Sequence, residues 1–191
     1  MIVLYIVGES GFARTKSEWS KMRIEGKAAY VDKGGKNFIK GRGSLPEDIL
    51  LKSLEVSGKI FFEKISCDDL KIKGDGKGAT IVGKNISVHG SLKAEKISAE
   101  KVVVQSQRST IEEVHCDSLK IFESDSTQKK SQVKVKKIVA KKVELENCEV
   151  EEIFCTDAFI GTNCKIGKLT VENDCEVAAD SKIANIIRSQ T

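Results

Sequence analysis

The chain has 191 residues, 31% of them charged, yet 32 basic against 28 acidic side chains leave a net charge of only +4 with the two signs interleaved. That length supports one sizeable core rather than two domains, and mixed charge describes a solvated surface rather than a nucleic-acid footprint. Aromatic content is 5%, so platforms for stacking bases or sugars are scarce, and no apolar run approaches the roughly 18 residues of a membrane span.

The opening MIVLYIV is apolar throughout but lacks a preceding basic residue and a clear cleavage site, which makes a poor signal peptide. A terminal strand is the first expectation there, ahead of a membrane-touching segment or an extension upstream of Met22. Residues 1–44 show no regular period, and the glycines of DKGGKNFIKGRGS predict an irregular or capping segment. Pro46, the only proline, marks the boundary between this segment and a periodic one.

From residue 45 to 177 the pattern changes. SLKAEKISAEKVVVQS, Ser91 to Ser106, looks helical in composition, but Ala94 and Ala99 lie five apart. A five-residue step turns a helix by 500°, so successive apolar positions would be displaced by about 140° and no single face would form. Short strands separated by corners fit instead. The template beginning at Ile97, ISAEKVVV, returns as ILLKSLEV from Ile49, ISCDDLKI from Ile65 and IVGKNISV from Ile81. It continues as VHCDSLKI from Val114, IVAKKVEL from Ile138 and IFCTDAFI from Ile153, with a degenerate copy at Leu169.

Four columns of this alignment are apolar. The first is Ile, Val or Leu throughout, the sixth runs from Leu54 through Val143 to Ala158, and the eighth from Val56 through Val104 to Ile160. The third is mostly small, with Cys67, Gly83, Ala99, Cys116, Ala140 and Cys155. Another pair precedes most copies, such as Leu92 with Ala94 and Val133 with Val135, and Ser109 with Ile111 is its imperfect member. Three apolar-x-apolar steps in about 16 residues predict an all-β fold: a parallel β-helix, or β-solenoid, with a triangular cross-section, which the general preference of parallel crossovers, rather than the spacing, makes a right-handed parallel β-helix. Outward neighbours such as Lys52, Asp68 and Lys84 mostly alternate in sign, which favours this stacking register. The step from Val114 to Ile138 contains the polar ESDSTQKKSQ, and residues 123–132 are expected to be a loop extruded at a corner. After Val177 the pattern decays, leaving 178–191 as a C-terminal cap or tail.

Chemistry is sparsely marked. Cys67, Cys116, Cys148, Cys155, Cys164 and Cys175 form no CxxC pair and have no companion histidine cluster, so reduced core thiols are expected and no metal site. GDGKGA, Gly74 to Ala79, matches a dinucleotide loop in letters, but another coil of the repeat follows where a helix should. His89 and His115 fall on different sides of the coil, and both are expected to be solvated. Asp68 with Asp69 or Glu112 with Glu113 could serve as paired carboxylates only with sugar-binding aromatics that are few here. No catalytic, cofactor or metal residue is assigned.

The succession GSLKAEKISAEKVVV, with KIVAKKVELENCEVEEIFCTDAFIGTNCKIGKLTVENDCEVAADSKI, resembles bactofilins, the polymer-forming cytoskeletal proteins of bacteria, over about residues 49 to 186. The resemblance implies a non-enzymatic cytoplasmic scaffold whose subunits join end to end into nucleotide-independent filaments, in some cases at the inner face of the membrane beside envelope proteins. It implies no cofactor, nucleic acid or small-molecule substrate, and a homopolymer as the partner. Many bactofilins carry Pro-rich tails and an aromatic residue at the subunit junction; here the corresponding polymer-interface candidates are Ile183, Ile186 and Ile187. Two other classes compete: a β-solenoid enzyme, either an acyltransferase or polysaccharide-acting, and a monomeric solenoid binding module using the 123–132 loop.

Overall fold

In the computed structural model the backbone is described for residues 10–13, 22–25, 29–33, 36–45, 49–106, 108–122 and 132–189, and side chains for 53–106, 108–122 and 133–189. MIVLYIV, Pro46 and residues 123–131 of the polar insertion lie outside the described residues.

The described regular elements are all strands: β1 (Ser10–Ala13), β2 (Met22–Glu25), β3 (Ala29–Lys33), β4 (Lys36–Leu45), β5 (Ile49–Ser106), β6 (Arg108–Phe122), β7 (Gln132–Leu145), β8 (Cys148–Ile160), β9 (Lys165–Val171), β10 (Cys175–Val177) and β11 (Lys182–Arg188). β5 is a ribbon of 58 residues that winds through successive coils. From β4 onward each coil stacks parallel on the one before. Side-chain bonds within β5 join residues 16 apart, as in Ser91 to Asp75. Ile97 then faces Val114, Val114 faces Ile138, Ile138 faces Ile153 and Ile153 faces Leu169, which is the register that the repeat predicts. The chain is a parallel β-solenoid.

Burial follows the columns. Ile65, Ile81, Ile97, Val114, Ile138, Ile153 and Leu169 are all 0% exposed. Leu70, Ile86, Val102, Leu119, Val143 and Ala158 form the second buried column, and Ile72, Val88, Val104, Ile121, Leu145 and Ile160 the third. β-branched side chains dominate because a short pleated strand with one buried face suits their restricted rotamers. Each fully buried Val, Ile or Leu contributes about 1.5–3 kcal/mol before chain entropy is subtracted. Where a column holds glycine, a neighbour fills the space. A Cβ on Gly78 would lie 2.2 Å from the Phe62 carbonyl oxygen and 2.3 Å from its ring, and one on Gly76 would lie 2.9 Å from Leu92 Cδ1.

The three corners differ. Between the first and second buried columns, and again before each first column, two residues turn the chain in every coil from Phe62 to Val171. The remaining corner holds residues 57–59, 73–75, 89–91, 146–147 and 161–163, and the two longer steps in sequence, from Ser106 to Arg108 and from Phe122 to Gln132, fall between described residues at the same place in the stack. Almost all variation in coil length is therefore placed at one edge of the rod. Left-handed backbone gathers there as well: Gly58, Gly74 and Gly90 have φ of 128°, 127° and 139°, and Asn147 and Asn163 have φ of 52° and 54°. Glycine is needed at Gly90 twice over, since a Cβ would also meet the Gly74 carbonyl oxygen at 2.1 Å. Asparagine tolerates the left-handed region, and the two form a ladder in which Asn163 Nδ2 donates to Asn147 Oδ1 at 2.9 Å.

At the N-terminal side β4 lies parallel to the first coil, with Asn37 opposite Leu54, and β3 and β2 turn back antiparallel against β4. β1 continues that antiparallel sheet through β2. The antiparallel strands cover the β4 edge that a further parallel coil would occupy.

Val102 and Ile138 are fully buried, whereas Lys101 is exposed. Val102→Asp or Ile138→Asp is expected to cost several kcal/mol, because each buries a charge with no partner, while Lys101→Asp should change stability by less than about 1 kcal/mol. Chemical denaturation followed by circular dichroism checks this; similar losses in all three variants would contradict the register.

Candidate functional site

The outward faces carry ladders of opposite charge. Glu113 lies 3.6 Å from Lys96 Nζ and 3.9 Å from Lys137 Nζ, one coil to either side, and Glu152 lies 3.1 Å from Lys168. Lys84 reaches Asp68 at 3.3 Å, Lys141 reaches Asp117 at 2.7 Å, and Lys136 pairs with Glu112. Lys137 and Lys168 also sit 5.8 and 5.4 Å from the ring of Phe154. Such exposed pairs are worth roughly 0–1 kcal/mol each and serve register more than stability.

The residues that the sequence singles out fall into this scheme. Asp68 is taken by Lys84, while Asp69 accepts from Asn85 Nδ2 at 2.8 Å. Glu112 and Glu113 pair separately, with Lys136 and with Lys96 and Lys137. The His115 ring nitrogen Nε2 is 2.9 Å from Glu113 Oε1, although the contact is out of line for a strong hydrogen bond. His89 is not the solvated side chain that its position predicts. It is half-buried, with Nδ1 2.8 Å from Gln105 Oε1 and Nε2 3.0 Å from the Ser87 hydroxyl. The two histidines stand on different walls. Gly74 to Ala79 runs along the coil as strand within β5 rather than opening a helix.

All six cysteines are free thiols. Burial pushes Cys67, Cys116 and Cys155 up to about 12, so they are not thiolates near neutral pH. Cys148 and Cys164 stack in the inward column of the third wall with their Sγ atoms 3.7 Å apart. Their contact raises the Cys148 thiol and draws Cys164 down to about 7, with help from the Ser181 hydroxyl. Among the described residues no group of three or more His, Cys, Asp or Glu side chains is placed to hold a metal ion. No described helix is long and apolar enough to cross a membrane.

The interface candidates lie in β11. Ile183 faces Ile166 and Ile186 faces Leu169, both extending buried columns, while Ile187 faces Thr170 in an outward column. Ile183 packs partly on the core, but Ile186 is 49% and Ile187 40% exposed. Val177, over Ile160, is also 41% exposed, although Ile160 is buried. Val177, Ile183 and Ile186 thus form an apolar cross-section over which no further described coil lies. Among the described residues nothing pairs with the other edge of β11. Arg188 stands in the inward column above Val171 and brings one charge to this end.

Val177 is absent from the sequence candidates, although its place in the eighth column after Ile160 is a usable signal. Fold and site together define a stacked parallel β-solenoid with one covered end and one exposed apolar end. Comparisons with family models, curated proteins and solved structures return no match to this chain.

Ionisation supplies a test of the ladders. Asp75 is held below the usual carboxylate range by the Ser91 hydroxyl and then Lys59, Glu113 by His115 and then Lys96 and Lys137, and Glu144 by Lys120 and then Lys142. Lowered carboxyl values stabilise the fold above the unfolded value near 4 and lose that contribution as pH falls through the lowered value. Lys136 and Lys141 are raised by Glu112 and Asp117, so their contribution persists to high pH and disappears as pH rises through the raised value. Thermal melting should show a flat maximum across neutral pH, a fall below about pH 4 and another that begins above about pH 9, where the thiols of the unfolded chain ionise, and deepens as the lysines lose their charge. A midpoint independent of pH in the acid range would show that the ladders do not contribute.

Proposed function

We propose that the chain is a non-enzymatic scaffold of the bactofilin kind that self-associates end to end into filaments without nucleotide. The carrying observation is the apolar cross-section of exposed Val177 and Ile186 with half-buried Ile183, beside an edge of β11 that pairs with none of the described strands. A parallel edge above an apolar row is a ready partner for another strand. The repeat supports the same reading, since stacking already builds the rod from within. Arg188 restricts the joint to a surface that offers it a counter-charge, because burial of an unpaired guanidinium is costly. The proposed partner is another copy of this chain, and the proposed setting is the cytoplasm, with the membrane inner face as a further place of action.

Electron microscopy and light scattering test this directly. The unaltered protein is expected to form concentration-dependent rods or longer assemblies without added nucleotide. Ile186→Lys together with Val177→Lys should shorten or abolish them while leaving the melting temperature within a few degrees, since both side chains are already about half exposed. A monodisperse monomer at every concentration and salt would overturn the proposal, as would assemblies unaffected by the double substitution.

A further inference from the structure

We infer that the side wall next to the variable corner holds a binding site for a compact anion bearing several phosphate groups. A hollow of about 580 Å³ opens there, lined by Lys59, Lys77, Lys93, Arg108 and Lys134 against a single acid, Asp75. That acid is already engaged: it accepts from the Ser91 hydroxyl at 2.6 Å and lies 3.2 Å from Lys59. Lys134 is 3.1 Å from Glu149. Lys77, Lys93 and Arg108 remain, and none has an ion-pair or hydrogen-bond partner among the described residues.

Two features make this more than scattered surface charge. Lys77 and Lys93 hold the same outward position in successive coils, so their stems start about 4.8 Å apart. Like charges so placed oppose each other, whereas the ladder from Lys96 through Glu113 to Lys137 alternates. The stacking register also shifts at this place, from a spacing of 16, as in His89 with Gln105, to 17, as in Lys93 with Thr110. Leu92 N donates to the Ser109 hydroxyl at 2.9 Å, and regular pairing begins at Lys93 with Thr110. Buried Ser109 is itself 2.6 Å from buried Ser106. The two hydroxyls tie together the chain on either side of the register shift, and Arg108, between them in sequence, lines the hollow.

The chemistry selects phosphate. An arginine fork and two lysines match several phosphate oxygens, with the guanidinium able to bind two at once, and the Thr110 hydroxyl lines the same hollow. The volume is that of a small-ligand cleft. Phe61 is the one aromatic residue in the lining, which does not provide the successive stacking surfaces by which single strands of nucleic acid are held. The site lies along the rod rather than at its end, so it does not rest on self-association.

Isothermal titration calorimetry of the full chain with inorganic tripolyphosphate, at fixed ionic strength, tests the site. Saturable binding is expected, weakened at least about tenfold in Lys93→Gln with Arg108→Gln. It should be retained in Lys93→Arg and unchanged in Lys101→Gln, at an exposed position on another wall. Matching melting curves for the double variant and the parent separate loss of binding from loss of fold. Co-sedimentation with phosphatidylglycerol vesicles distinguishes a lipid headgroup from a free oligophosphate: vesicle binding lost in the same double variant supports the site with lipid as the source, and tripolyphosphate binding alone supports a free ligand. No saturable binding to either probe, or equal binding by parent and double variant, would overturn the proposal.

Discussion

Parallel stacking at about 4.8 Å governs this molecule, because it sets every side chain against the same position of the coils above and below. An inward residue is judged by its column more than by its neighbours in sequence. The first column can be Ile, Val or Leu in every coil and stay completely dry, since identical shapes stack without gaps. The third column takes Cys67, Ala99, Cys116, Ala140 and Cys155, which are small and interchangeable in volume, and the burial that makes them suitable there also removes their thiol reactivity. Outward, the same rule turns charge into a register device, with most of the paired cations meeting an acid one coil away.

A rod under that constraint cannot absorb irregularity anywhere it likes. Two corners keep two residues from coil to coil over most of the rod, and the third collects the positive-φ glycines, the left-handed asparagines and the shift of register between Lys93 and Thr110. An extra residue in a wall would exchange inward for outward side chains; at a corner it only lengthens a loop. The anion site lies beside this corner for the same reason. Departures from the repeat accumulate there, so a hollow and unmatched cations can exist without disturbing the core.

The solenoid is legible in the sequence because its signal is vertical. Aligning Ile65, Ile81, Ile97 and Val114 exposes the columns, and the outward pairs Lys84–Asp68 and Lys141–Asp117 follow from the same alignment. What escapes depends on geometry that no column records. Ser109 reads as an imperfect member of an apolar pair, yet its hydroxyl takes the Leu92 amide and meets the Ser106 hydroxyl. His89 reads as solvated because one position cannot show that Gln105, in the next coil, closes over it. The strands before residue 45 lack period because antiparallel pairing of β3 with β4 needs no 16-residue spacing. For Ile183, Ile186 and Ile187 the letters alone do not separate Ile186, over a dry Leu169, from Ile187, over the outward Thr170.

The two ends of the rod are consequently not equivalent. At the N-terminal side a change from parallel to antiparallel pairing ends the coil geometry, and a second solenoid laid on β2 or β3 would find strands running the wrong way to continue the columns. At β10 and β11 the columns continue to exposed Val177 and Ile186 and half-buried Ile183, with parallel geometry intact. Under the proposed self-association, an apolar cross-section would favour a partner with a similar cross-section, and the simplest joint would bring two β11 ends together about a two-fold axis. Growth beyond a pair would then require the N-terminal sheets to meet in turn, giving a filament of two alternating joints without overall polarity. At the β11 joint each Arg188 would need an acid from the facing copy, and that requirement supplies specificity where hydrophobic contact alone would accept any exposed edge.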